Sequence, residues 1–243
     1  MTLIFAHRGS AGTHPENTMV AFREAARVGA EGIEMDVQLS KDGEVVVIHD
    51  EKLDRTTGVS GFVKDRTLRE LQTLNAASSY AGKGCEERIP TLDGLLKWLY
   101  HTHLFCIIEL KNTFFMYPGL EAKVIRLIRA YEMEERIIIS SFNHYSLVFC
   151  HQLAPEIETA PLYREFMYMP WVYARAIGGS AIHPSIRSAP DSIIQSSMDD
   201  GILVRPYTVN KEEDMKRLFK LGCSAIITDF PEKAKIVRAN YEK

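Results

Sequence analysis

Cysteine is scarce in this chain of 243 residues. Cys85, Cys106, Cys150 and Cys223 are all there is, and no two form a CxxC pair. That spacing excludes a dense disulfide framework and the close ligand pairs of a zinc ribbon. Cys106 and Cys223 lie in or beside apolar runs and are expected to pack as reduced thiols. Long apolar runs are missing as well. Nothing approaches the ~20 residues of a membrane span, so no stable membrane insertion is expected. The apolar opening Met1–Ala6 stops at His7-Arg8, too short and without the basic lead of a signal peptide. A cytoplasmic protein is the expectation. There is no excess of positive charge: the net value of -3 argues against a broad nucleic-acid surface, though not against a local basic pocket for a small anion. Neither an internal repeat nor a low-complexity tract appears, and no GxGxxG follows the first strand-like run, which weakens a dinucleotide-binding reading. Composition leaves a homo-oligomer open.

What is present is alternation. Strand-like runs at Leu3–Ala6, Gly32–Val37, Leu104–Leu110, Ile137–Ser140, Thr159–Leu162, Ala181–His183, Leu203–Tyr207 and Ala225–Thr228 interleave with helical patterns. The helices are expected at Glu16–Val28, Leu92–Tyr100, Leu120–Tyr131, Tyr145–Leu153, Val172–Ile177, Ser192–Asp199, Glu212–Leu221 and Glu232–Tyr241. Asn17 or the residues just before it would start the first helix, and Gly29 stands past its end. Val45–Ile48 is a further extended run. Eight strand–helix pairs imply parallel pairing through right-handed crossovers. A (β/α)8 TIM barrel, which takes about 250 residues, fits this length as one domain over residues 1–243. A doubly wound open sheet is the alternative. One stretch breaks the pattern, between Asp50 and Pro90. It is polar and too long for an ordinary connection. It reads as an insertion at about 51–90, after the second strand, projecting from the barrel mouth. Phe166–Trp171 is a second candidate lip.

Polar residues fall where barrel chemistry gathers, at the C-terminal ends of strands. His7-Arg8 follows the first strand, Glu34 and Asp36 end the second, His49-Asp50 ends the next extended run, and Glu109 and Lys111 end the third strand. Glu34 and Asp36, two apart on a strand, share one face. Two such carboxylates repel each other and resist desolvation. They form either a solvated acidic edge or the oxygen ligands of a divalent cation such as Mg2+ or Ca2+. Glu109 follows the apolar run Phe105-Cys106-Ile107-Ile108. It is either paired with Lys111 or a third ligand. His7 and His49 are candidates for proton transfer, Arg8 offers a forked donor to phosphate, and Asp50 either orients His49 or belongs to a turn. The other six, His14, His101, His103, His144, His151 and His183, read as surface or packing residues.

Taken in order, Ala6-His7-Arg8-Gly9, Pro15-Glu16-Asn17-Thr18, Glu34-Met35-Asp36-Val37, Asp42-Gly43 and His49-Asp50 resemble the signature of the glycerophosphodiester phosphodiesterase family. Ile108-Glu109-Leu110-Lys111, Tyr207-Thr208-Val209-Asn210 and Thr228-Asp229-Phe230-Pro231 are similar to its later motifs, so the likeness runs over nearly the whole chain. The resemblance implies a (β/α)8 barrel with a small insertion after the second strand. It implies metal-dependent hydrolysis of a small-molecule glycerophosphodiester to sn-glycerol 3-phosphate and an alcohol. Glu34, Asp36 and Glu109 would hold one divalent cation, Mg2+ or Ca2+. His7 and His49 would be general acid and base, with their order open, and Arg8 and Lys111 would contact phosphate. Tyr207 stands where the family often has Trp, and Pro206 before it is less usual. Both bear on the wall that meets the leaving alcohol and hence on headgroup preference. A lipid-directed relative of phospholipase C or lysophospholipase D type, and a non-catalytic binder of phosphorylated small molecules, are the alternatives.

Overall fold

A computed structural model describes residues 1–80 and 84–241. Eight parallel strands wrap into a nearly closed barrel. They are β1 (Leu3–Ala6), β2 (Gly32–Leu39), β4 (Phe105–Leu110), β5 (Ile137–Ser141), β6 (Glu158–Tyr163), β7 (Ala181–Pro184), β8 (Leu203–Val204) and β9 (Ala225–Thr228). Their order is β8-β7-β6-β5-β4-β2-β1-β9, while β3 (Val45–Val47) folds back antiparallel on β2. The further extended run is thus a hairpin arm and not a ninth barrel stave.

Helices α1 (Met19–Arg27), α4 (Leu92–Tyr100), α5 (Leu120–Ala130), α6 (His144–Leu153), α7 (Pro170–Ala176), α8 (Asp191–Asp199), α9 (Glu212–Leu221) and α10 (Pro231–Tyr241) cover the outside. Alternation along β2 explains the layering. Ile33, Met35 and Val37 point out into the strand–helix core, so Glu34 and Asp36 point in. The lumen is plugged by Phe5, Ile107, Ile138, Ala160, Ala181, Ala225 and Ile227. The register sets Asp36 opposite Glu109, and Glu109 opposite Ser140, which stacks polar groups at one end of that plug.

Three expectations change. The strand foreseen over Leu203–Tyr207 ends at Val204, because Pro206 has no N–H to give a ladder. The seam instead closes through single bonds: Ile227 N–H to the Pro206 carbonyl at 3.0 Å and Val209 N–H to the Ile227 carbonyl at 2.8 Å. The first helix starts at Met19 rather than Glu16, with Thr18 as its N-cap. Asn17 takes φ 55° and gives its side chain to Asp36. Phe166–Trp171 is not one lip: Phe166 and Tyr168 are exposed, whereas Met167 and Trp171 pack against the core beside β7 and β8.

Between Asp50 and Pro90 lie two short helices, α2 (Asp54–Thr57) and α3 (Leu68–Leu71); residues 81–83 of this stretch lie outside the described residues. Its apolar residues are few but converge. Leu53, Val63, Leu71, Ala76 and Ile89 bury together against Val46 and Ile48 of the hairpin. Cys106, Cys150 and Cys223 are buried free thiols, and Cys85 is a half-buried one.

Candidate active site

The turn after β1 creates the first half of the site. Arg8 and Gly9 take φ 54° and 78° in succession. A side chain on Gly9 would strike the backbone of Ala21 at 2.6 Å, so glycine is needed there. The Arg8 N–H donates to Glu34 Oε2 at 2.9 Å. The Arg8 guanidinium donates to Glu16 Oε1 at 2.8 Å and lies 3.4 Å from Asp36 Oδ2. Burial works against its charge, but Asp36, Glu16 and Glu34 more than offset that and raise its pKa. His7 Nδ1 donates to Asp229 Oδ1 at 2.6 Å, which leaves Nε2 4.0 Å from Glu34 Oε2.

The second half comes from the hairpin and β4. His49 Nδ1 donates to Asp50 Oδ1 at 2.6 Å. Its Nε2 accepts from Lys111 Nζ at 3.1 Å, and that ammonium also donates to Glu109 Oε1 at 2.9 Å. Both readings of Glu109 therefore meet in one geometry: it pairs with Lys111 and still faces the other acids. Glu34, Asp36 and Glu109 offer carboxylate oxygens within 4.8 Å of one another, and Asp36 Oδ1 is buried with no hydrogen-bond partner. Burial, Asp36 and Glu109 push the Glu34 carboxyl well above the usual range. Burial and Asp36 likewise push Glu109 up, against the pull of Lys111. Burial alone would raise Asp36 too, but Arg8, His49 and Lys111 hold it at about 2. Three buried acids that cannot all ionise comfortably, one with an unused oxygen, fit a divalent cation with oxygen ligands.

A pocket opens beside this cluster, lined in part by His7, Glu34, Glu109, Ser140, His183 and Tyr207. Tyr207 donates its hydroxyl to the Tyr163 carbonyl at 3.1 Å and stacks edge-on against Phe142.

A model of the glycerophosphoryl diester phosphodiesterase family matches residues 7–233. The chain belongs to this family. A glycerophosphodiester phosphodiesterase of Bacillus altitudinis is 44% identical over 241 residues, with 98% of each chain covered. One from Caldanaerobacter subterraneus subsp. tengcongensis is 44% identical over 231 residues, with 95% of each covered. The structure of an Oleispira antarctica phosphodiesterase in complex with the product sn-glycerol-3-phosphate superposes with a TM-score of 0.86 at 28% identity, covering 98% of this chain and 96% of the other.

In this member of the glycerophosphoryl diester phosphodiesterase family, all eight residues singled out from the sequence converge. His7, Arg8, Glu34, Asp36, His49, Glu109 and Lys111 form one connected cluster, and Tyr207 lines the adjoining pocket. Asp50 accepts the Nδ1–H of His49. Sequence reasoning missed the partners. Asp229 and Glu16 stand inside quoted motifs without a role at the site, and Asn17 is read there only as a helix start. Arg55, which donates to both Asp50 and Glu16, lies outside every one of those motifs. His183 was read as a packing residue, yet it lines the pocket with its Nδ1 unpartnered. Burial and the nearby Arg205 keep it neutral.

Proposed function

We propose that the chain hydrolyses glycerophosphodiesters to sn-glycerol 3-phosphate and an alcohol, using one divalent cation, Mg2+ or Ca2+, held by Glu34, Asp36 and Glu109. One observation carries the reading. Two imidazoles, His7 and His49, each give Nδ1 to an aspartate and turn Nε2 toward a buried cluster of three acids. An aspartate on Nδ1 fixes the tautomer and makes Nε2 the nitrogen that takes or gives a proton. The cation supplies positive charge where the phosphoryl oxygens become more negative. Arg8 and Lys111 bind those oxygens from either side of the acid cluster. One histidine takes the proton of the attacking hydroxyl, and the other gives a proton to the alcohol oxygen as its bond to phosphorus breaks. Each transfer is typically worth about 10²–10⁴-fold. The attacking hydroxyl is that of water or the glycerol 2-hydroxyl; trapping of a 1,2-cyclic phosphate separates the two. Tyr207 contributes to the wall that meets the leaving alcohol.

A panel of glycerophosphodiesters bearing choline, ethanolamine, glycerol or inositol, each with Mg2+ or Ca2+, tests this by release of sn-glycerol 3-phosphate. Turnover should vanish in EDTA and return with either ion. Full activity in excess chelator contradicts the role given to the three acids.

A second reading has one observation in its favour. Phe114, Met116, Tyr145, Phe166 and Tyr168, all at least two-thirds exposed, lie on the loops or helix starts that follow β4, β5 and β6. This arc of the mouth suits a substrate with an apolar tail. Faster turnover of a lysophospholipid than of glycerophosphocholine would favour it.

A further inference from the structure

Among the described residues of the stretch between Asp50 and Pro90, Arg55 reaches the acids that support the site. Arg55, on α2, donates Nε to Asp50 Oδ2 at 2.6 Å and Nη2 to Asp50 Oδ1 at 3.1 Å. The same guanidinium donates Nη1 to Glu16 Oε2 at 2.6 Å and Nη2 to Glu16 Oε1 at 2.8 Å. Each carboxylate is shared with the site. Asp50 Oδ1 also accepts from His49 Nδ1 at 2.6 Å, and Glu16 Oε1 also accepts from Arg8 Nη1 at 2.8 Å. A continuous path therefore runs His49–Asp50–Arg55–Glu16–Arg8. Its central fork is a doubly bidentate arrangement that lysine cannot reproduce. α2 has only four residues and cannot fix this guanidinium by itself. The preceding Leu53 is fully buried in the small core of the excursion, and Thr57 donates its hydroxyl to the Leu53 carbonyl at 2.8 Å.

We infer that Arg55 is a positioning residue: it holds the Asp50 carboxylate against His49 and the Glu16 carboxylate against Arg8, so that the excursion sets the geometry of both. An isolated exposed ion pair would do little. Here removal of the guanidinium leaves two carboxylates facing the same gap, each free to turn from its partner. The Asp50 branch serves proton transfer and the Glu16 branch serves phosphate binding. This division rests on the roles proposed above for His49 and Arg8.

The test combines kinetics with a probe that needs no substrate. Arg55→Ala should lower kcat by about 10–100-fold, the usual cost of losing an outer-shell partner, and should also raise KM. In an Asp50→Asn background Arg55→Ala should change KM alone, and in a Glu16→Gln background kcat alone; such non-additivity marks a shared network. Arg55→Lys, which keeps the charge, should recover part of one constant and not both. Lys64→Ala, which removes another cation of the excursion, one that pairs with Asp65 and lies over the Phe62 and Phe115 rings, should leave both constants unchanged. In the substrate-free protein, the Nδ1–H resonance of His49 should shift in Arg55→Ala and Arg55→Lys while that of His7 stays. Constants within twofold of wild type, fully additive cycles, or an unmoved His49 resonance overturn the proposal. Movement of both histidine resonances together would assign Arg55 a merely structural role and overturn it too. If the wild-type chain cleaves no glycerophosphodiester, the proposed activity fails and the resonances alone decide about Arg55. If Arg55→Ala does not fold, Arg55→Lys carries the same measurements.

Discussion

The two histidine–aspartate pairs have the same 2.6 Å bond and opposite supports. His7 and Asp229 stand 222 positions apart and meet because β1 pairs with β9. Asp229 is locked by Asn210, which donates to Oδ2 at 2.5 Å and accepts the Asp229 N–H at 3.0 Å. His49 and Asp50 are adjacent residues. Their carbonyls are both gripped by Gln38 of β2, at 3.0 and 2.8 Å, while the Asp50 carboxylate depends on a half-exposed Arg55. One pair is fixed by the closure of the sheet, the other by a hairpin and an excursion with a small core of its own. The same chemical unit thus rests on two supports of different kind, whose local stabilities can differ.

The largest effects should come from the imidazoles themselves. His7→Ala and His49→Ala should each abolish measurable release of sn-glycerol 3-phosphate while circular dichroism stays that of the wild type. Near-normal turnover in either variant would break the equivalence of the pairs. Next comes the difference in support. Leu71→Ala, in the buried core of the excursion, should remove about 2–5 kcal/mol of packing there. Hydrogen exchange should then quicken around Leu53 and His49 but not around His7 and Thr228. Uniform quickening would mean that the two supports are not separate. The smallest effect concerns pH. The hydrogen bond from His49, with Arg55 beside it, holds Asp50 below the usual carboxylate range. Burial alone would raise Asp229, but His7 and Asn210 outweigh it. A carboxyl depressed in the folded state adds stability that is present above the unfolded value of about 3.9 and lost as pH falls through the folded value. Asp50→Asn and Asp229→Asn should therefore cost stability at pH 7 and progressively less as acid is added. A cost that does not shrink below pH 4 in urea titrations would show that the loss is packing and not charge.

The candidate site is legible in the sequence wherever a charged residue ends an apolar run. His7, Glu34, Asp36, His49, Glu109 and Lys111 were visible because strand alternation says which way they point. The residues that hold them were not. Arg55 sits in a polar stretch with no periodicity, and its partner Glu16 lies 39 positions away. Asp229 needs the barrel to close before it has a purpose. Where the periodic reading went wrong, local chemistry had been spent on the site or withheld from the ladder. Asn17 gives up the start of α1 to reach Asp36, and Pro206 cuts short β8.

The bond between His7 and Asp229 has a consequence for the life of the chain. A nascent polypeptide carries all three acids and His49 long before residue 229 leaves the ribosome. Its first imidazole has no aspartate until β9 arrives to dock on β1. Competence should appear late and abruptly during synthesis, so a chain cut before Asp229 would hold nearly every named group and still be unable to work.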